Sequence, residues 1–318
     1  MNKTVFQNPL SVEEAAALSK QLPAFPYNPH PVISKQPEAR PSVPYAPVQA
    51  FDNVYWIGSQ SVGGVLIDTG DGYILIDDGC NDMEAAHMAE SLVQLGMDGS
   101  DIKLIFISHE HFDHYGGTSY FLKNVCPEAR VAISRIGWNL LQTVPTEFAF
   151  MDPRPEKADI LLSDGMCIRL GNTNILSILT PGHSDGCMSF IFNAAYRGEE
   201  IMVGMMGGSA AWPNMPQIRT YQSSIDYFKL YTDLAGCNAF IAAHQMKEAL
   251  DQVAESWNGT CKHPWLCSEE DFDEAYLTRF RTNALRSLRC SGLQTYLMPP
   301  MPGTDTARDE GSPIPERL

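Results

Sequence analysis

No run of about 18 consecutive apolar residues occurs anywhere in this chain, so the sequence holds no candidate membrane-spanning helix. Positive charge is scarce: 22 lysines and arginines face 38 aspartates and glutamates, a formal net charge of −16. So acidic a surface repels phosphate backbones and argues against nucleic acid as a partner. The eight cysteines (80, 126, 167, 187, 237, 261, 267 and 290) never form C-x-x-C. Scattered thiols of this kind read as reduced and cytosolic, with Cys261 and Cys267 alone close enough in sequence for a local bridge. A secretory pattern is missing too, because Glu13 and Glu14 precede the only short apolar stretch near the N-terminus. The expected compartment is therefore the cytoplasm. No internal repeat is evident.

What is present is the material of one large soluble domain: 318 residues, 44% of them hydrophobic, enough for a substantial core. Residues 1–50 hold eight prolines between Pro23 and Pro47, after a short helical segment whose Ser11 and Glu14 form a capping box. They read as an arm on a domain spanning 51–296, with 297–318 as a flexible tail. Strands are expected at 54–58, 64–68 and 73–77, the last two joined through Thr69-Gly70-Asp71-Gly72 as a hairpin. A helix over 82–96 stops at Gly96. Strand 103–107 precedes a helix near 116–124 and a strand at 129–134. Further strands fit 159–162, 166–170, 174–179, 187–193 and 200–204. A long helix over 217–235, a strand at 238–243 and helices near 246–257 and 268–291 complete the pattern. Strands and helices interleave in both halves, which predicts an α/β fold of two packed sheets with helices outside.

The histidines stand at 30, 87, 109, 111, 114, 183, 244 and 263. His109, His111 and His114 follow the apolar run Leu104–Ile107, within FISHEHFDHYGG. His183 follows another such run in Leu179-Thr180-Pro181-Gly182-His183, and His244 a third in Phe240-Ile241-Ala242-Ala243-His244. Three strands thus deliver imidazole at their C-terminal ends, where α/β sheets gather their active sites. Neutral imidazole and carboxylate suit a borderline divalent ion such as zinc, and also iron or manganese. Five histidines with Asp113 make six donors. A tetrahedral zinc with one open position needs three, so the set divides into two metals, which can share a bridging hydroxide.

His109-Glu110-His111-Phe112-Asp113-His114 resembles the H-x-H-x-D-H motif of the metallo-β-lactamase superfamily. Thr180-Pro181-Gly182-His183 and Ala243-His244 resemble that family's later metal-binding segments, and Leu75-Ile76-Asp77-Asp78-Gly79 its strand before the first helix. The resemblance covers roughly residues 51–250. It implies an αβ/βα sandwich with two metals in a cleft at one edge. By the same resemblance His109, His111 and His183 would hold the first ion, and Asp113, His114 and His244 the second. Asp113 would also orient a water, and Asp78 would accept the outer N–H of a ligating imidazole. Glu110 and Phe112 read as spacers. Methionine at 205 and 206 stands where many hydrolases of this family carry a bridging aspartate, which turns the resemblance toward subclass B3.

The implied activity is a zinc-dependent hydrolase, with a hydroxide held between two Zn2+ ions attacking the carbonyl of a small cyclic amide, lactone, ester or thioester. The alternatives are a non-catalytic metal-binding scaffold and an iron-dependent redox enzyme of the same fold. Ser209, in the turn Gly207-Gly208-Ser209, is a candidate substrate contact, and Met205 and Trp212 are candidates for an apolar wall. Cys187, with apolar neighbours, reads as a packed residue and not a nucleophile.

Overall fold

The computed structural model describes residues 5–22, 43–143, 155–211 and 215–290. Among these residues thirteen strands form two mixed sheets. The first contains β2 (Pro44–Phe51), β3 (Val54–Ser59), β4 (Gly63–Asp68), β5 (Tyr73–Ile76), β6 (Ile102–Ile107), β7 (Arg130–Ser134) and β8 (Ile160–Leu162), in that spatial order. β2 to β5 run antiparallel, and β5 to β8 run parallel. The second sheet has the order β1 (Leu10–Ser11), β9 (Met166–Leu170), β10 (Thr173–Leu179), β11 (Met188–Tyr196), β12 (Glu199–Met206), β13 (Ala239–Ala242). The helices are α1 (Val12–Ser19), α2 (Asp82–Gln94), α3 (Phe112–Tyr115), α4 (Thr118–Asn124), α5 (Arg135–Thr143), α6 (Met215–Ala235), α7 (Lys247–Trp257) and α8 (Thr278–Cys290), the last preceded by a π turn at Asp273–Leu277.

Two-residue periodicity divides the first sheet between two cores. Trp56, Val65, Ile67, Ile74, Ile76, Leu104 and Phe106 face the second sheet, where they meet Ile175, Phe190, Phe192 and Val203. The alternate positions Ile57, Leu66, Leu75 and Ile105 face outward and are covered by Ala85, Met88 and Leu92 of α2 and Phe121 of α4. Burial on both faces is why these strands read as unbroken apolar runs. Each such side chain contributes roughly 1.5–3 kcal/mol by leaving water. α2 starts at Asn81, whose side chain accepts from Glu84 N at 3.0 Å, and Gly96 past its end takes a left-handed φ of 72°. α6 lies on the outer side of the second sheet, with α8 packed against it.

Part of the expected arm is sheet and core. The Ser11–Glu14 capping box is present, Val12, Ala15 and Ala16 of α1 are buried, and β1 pairs with β9. β2 extends the first sheet back to Pro44, before the expected boundary at 51. Prolines at 44 and 47 hid this strand, but β2 is an edge strand with a bulge between Tyr45 and Val48, where a missing N–H is tolerated. α5 is a further element not expected from the sequence. His30, Trp212 and the segment 297–318 lie outside the described residues. Cys261 and Cys267 are free thiols, and among the described residues no helix is long and apolar enough to cross a membrane.

Candidate metal centre

β5, β6 and β7 are parallel and end at one edge of the first sheet; β10, β12 and β13 end at the matching edge of the second. Met188 N donates to Ser108 O at 2.8 Å, joining the two edges. The segments leaving these strands carry all six expected donors into two triads, His109 with His111 and His183, and Asp113 with His114 and His244. Within each triad the donor atoms lie within 4.8 Å of one another.

In the first triad His109 Nε2 faces His111 Nδ1 at 3.0 Å and His183 Nε2 at 3.1 Å. Three nitrogens converge where no more than one shared proton can relieve their mutual repulsion. The spacing is near the ~3.3 Å edge of a tetrahedron around an ion bonded at about 2.05 Å. In the second triad Asp113 Oδ2 lies 3.6 Å from His114 Nε2 and 3.7 Å from His244 Nε2. His114 Nε2 is buried without a hydrogen-bond partner, an orphan atom that a cation would satisfy. The residues present therefore fit two divalent ions.

The outward nitrogens are fixed by the protein. His183 Nδ1 donates to Ala210 O at 2.5 Å and His244 Nδ1 to Ser61 O at 2.8 Å. Carbonyls only accept, so these tautomers leave Nε2 free to bind inward. His109 Nδ1 donates to Ser108 Oγ at 3.0 Å, and that hydroxyl donates to Asp77 Oδ2 at 2.8 Å. His114 Nδ1 lies 2.7 Å from Asp77 Oδ2. Among the described residues the other two histidines are spent on structure: His263 is bonded to Ala50 O and Trp265 N, and His87 to Tyr45 O.

The carboxylate beneath the imidazoles is Asp77, not the expected Asp78. Asp77 leaves β5 in a left-handed conformation, φ 62°, which turns its side chain under the motif. Asp78 points the other way. Its carboxyl accepts from Gly117 N and Thr118 Oγ1, anchoring the start of α4, and burial pushes it up to about 8. Sequence reasoning missed Asp77 because the two aspartates are adjacent, and only the backbone turn decides between them. Glu110, expected to be a spacer, accepts from Ser184 Oγ and Gly186 N.

Burial and the neighbouring imidazoles hold His109 well below its usual range, and burial lowers His111 to about 4 and His183 to about 3. His244 is also lowered, chiefly by burial. These rings are neutral and ready to donate lone pairs. Burial opposes charge on His114, yet Asp113 and Asp77 outweigh it and raise the ring to about 9. Burial would raise Asp113, but His114 and His244 prevail and lower it to about 2. An ion in the second triad would take the place of the His114 proton.

The loop after β12 backs His183. A Cβ on Gly208 would stand 2.3 Å from His183 Cβ, so only glycine admits the ring there. Tyr221 OH of α6 donates to Gly208 O. α8 holds the carbonyls either side of Ala210: Asn283 Nδ2 donates to Ser209 O and Ser287 Oγ to Ala211 O, each at 2.8 Å. Ser209 is half-buried beside this site. Met205 and Cys187 are packed in the interior, each about 1% exposed, so neither lines the cleft. Burial, above all, pushes the Cys187 thiol up, as its reading as a packed residue requires.

Residues 62–195 match the family model described as Metallo-beta-lactamase superfamily. Native FEZ-1 metallo-beta-lactamase from Legionella gormanii superposes with a TM-score of 0.66 at 20% identity, covering 80% of this chain and 97% of that one. BJP-1, a subclass B3 metallo-beta-lactamase of Bradyrhizobium japonicum, superposes with a TM-score of 0.65 at 20% identity, over 80% and 97%. Among curated proteins, a hydroxyacylglutathione hydrolase of Francisella tularensis subsp. novicida is 29% identical over 43% of this chain and 46% of its own length. The mitochondrial persulfide dioxygenase ETHE1 of Mus musculus is 27% identical over 38% and 41%. The chain thus spans less than half the length of these curated relatives.

Proposed function

We propose that this chain, whose fold and 62–195 segment are those of the metallo-β-lactamase superfamily, is a two-metal hydrolase that cleaves the carbonyl bond of a small amide, lactone, ester or thioester, with zinc as its ion. The observation that carries the reading is the inward turn of Nε2 on His183 and His244, each forced by a carbonyl behind Nδ1, together with the unpartnered Nε2 of His114. Three protein donors per triad would leave each ion an open position, as catalytic sites have and closed structural sites lack.

His109, His111 and His183 would hold the first ion; Asp113, His114 and His244 would hold the second. When bound, two such ions polarise the scissile carbonyl and supply hydroxide at neutral pH. The protein's share is to keep the donors in place. Asp77 and Ser108 hold His114 and His109 from below, while the carbonyls of Ala210 and Ser61 hold His183 and His244. Asp113, half-buried and held ionised by His114 and His244, would also orient a water beside the second ion. No side-chain nucleophile is required.

Iron-dependent redox chemistry is the second reading, and the similarity to a persulfide dioxygenase favours it. The complete second triad favours hydrolysis. Metal analysis of the purified protein, paired with β-lactam, lactone and thioester substrates, decides between them. About two zinc ions per chain and a hydrolytic turnover lost in His114→Ala are expected. Turnover untouched by His114→Ala, or bound iron with oxygen consumption, would overturn the proposal.

A further inference from the structure

Glu110 stands between two donors of the first triad yet belongs to neither set. Its carboxylate reaches across to the turn that follows His183, 74 and 76 residues away in sequence. Oε2 accepts from Ser184 Oγ at 3.0 Å and Oε1 from Gly186 N at 3.3 Å. Ser184 is itself buried. A third segment closes on the same carboxylate. A Cβ built on Gly186 would lie 2.6 Å from Glu110 Oε2 and 2.5 Å from the Gly137 backbone, and one on Gly137 would lie 3.1 Å from Oε2. Glycine at both positions lets the turn after His183 and the first turn of α5 press against the carboxylate. The turn itself is short, with Gly182 N bonded to Ser184 O at 3.0 Å, so a pull on Ser184 acts directly on His183.

We propose that Glu110 is a positioning residue for the first ion: by holding Ser184 Oγ and Gly186 N, it sets the His183 ring against His109 and His111. The inference rests on the two-metal reading. Glu110 braces the turn after His183, a second support beside the one that Ala210 O gives to the ring. Glutamine keeps the size of the side chain but loses the charge that strengthens both bonds, and with its oxygen on Gly186 N its amide must reverse the bond to Ser184 Oγ.

The test uses the full chain in a His114→Ala background, where Zn2+ binding reads the first triad alone. Metal-free protein is titrated with Zn2+ against a chromophoric chelator, with Glu110 intact, as Glu110→Gln and as Ser184→Ala; the melting temperature of each metal-free form is recorded in parallel. Glu110→Gln is expected to weaken Zn2+ binding by about 10–100-fold, as loss of an outer support commonly does. Ser184→Ala should weaken it less, because Gly186 N remains bound to the carboxylate. Zn2+ affinity unchanged in both variants overturns the proposal, even if their melting temperatures fall, since a purely structural brace would act on stability alone. Should Glu110→Gln not fold, Ser184→Ala decides by the same criterion. If the His114→Ala parent binds no Zn2+, it is the two-metal reading that fails.

Discussion

Asp77 Oδ2 and His114 Nδ1 lie 2.7 Å apart at the bottom of the second triad, and the other Asp77 oxygen accepts Ser108 N at 2.7 Å. The aspartate is buried and its backbone is left-handed, a conformation that costs about 1–3 kcal/mol and persists where the surroundings demand it. Here the demand is to bring one carboxylate under two histidines, His114 directly and His109 through Ser108 Oγ.

Asp77→Asn isolates that task, since asparagine also tolerates the left-handed region. Its amide can donate to His114 Nδ1 and so favour the tautomer with a proton on Nε2. The second ion should then bind about 10–100-fold more weakly, and the metal-free form should also melt lower, because buried His114 loses one of the carboxylates that hold its charge. Isothermal titration with Zn2+ reads the effect; an unaltered second affinity would remove Asp77 from the site.

Gly208→Ala tests the back wall of the first triad. The new methyl would meet His183 at 2.3 Å from its Cβ, so the ring must move off Ala210 O. Loss of the first ion at a free Zn2+ concentration that saturates the parent is expected. Full occupancy in the variant would show that His183 has room to spare.

Chelation should lower stability. An ion that binds only the folded state stabilises it by about 4.1 kcal/mol at a free concentration ~1,000 times its Kd. Thermal melts with Zn2+ and with excess dipicolinate should differ accordingly, and the shift should shrink in His111→Ala and in His114→Ala. Coincident melts would mean that the donors hold no ion tightly.

Tyr276→Phe addresses the scaffold. The buried hydroxyl receives Met206 N at 2.9 Å and donates to Ile241 O at 2.7 Å, bridging β12 and β13 beside the site. Its removal strands a buried N–H and a carbonyl, at a cost of about 1–3 kcal/mol. The urea midpoint should fall with the slope unchanged, and Zn2+ affinity should hold.

The triads were legible in the sequence because each donor follows a strand directly: His109 after β6, His183 after β10, His244 after β13. Local pattern sufficed. Asp77 was not legible, because Asp77 and Asp78 differ only in which way the chain turns, and φ at 77 is invisible in a string of letters. Glu110 was misread for another reason. Its partners, Ser184 and Gly186, lie on a distant turn, so nothing beside it in sequence announces a bond. β2 was missed because Pro44 and Pro47 argue against a strand unless that strand is known to be an edge.

The clasp of α8 on the loop at 209–211 has a consequence for how the protein is made. His183 depends on Ala210 O, and the loop that offers it is held by Asn283 and Ser287. A chain leaving the ribosome therefore displays His109, His111 and His183 long before the support that aims them exists. Synthesis from the N-terminus means that the first triad is the first to be complete in composition and among the last to be complete in shape. The support behind His183 can form only once α8 has been made and has docked on the loop at 209–211.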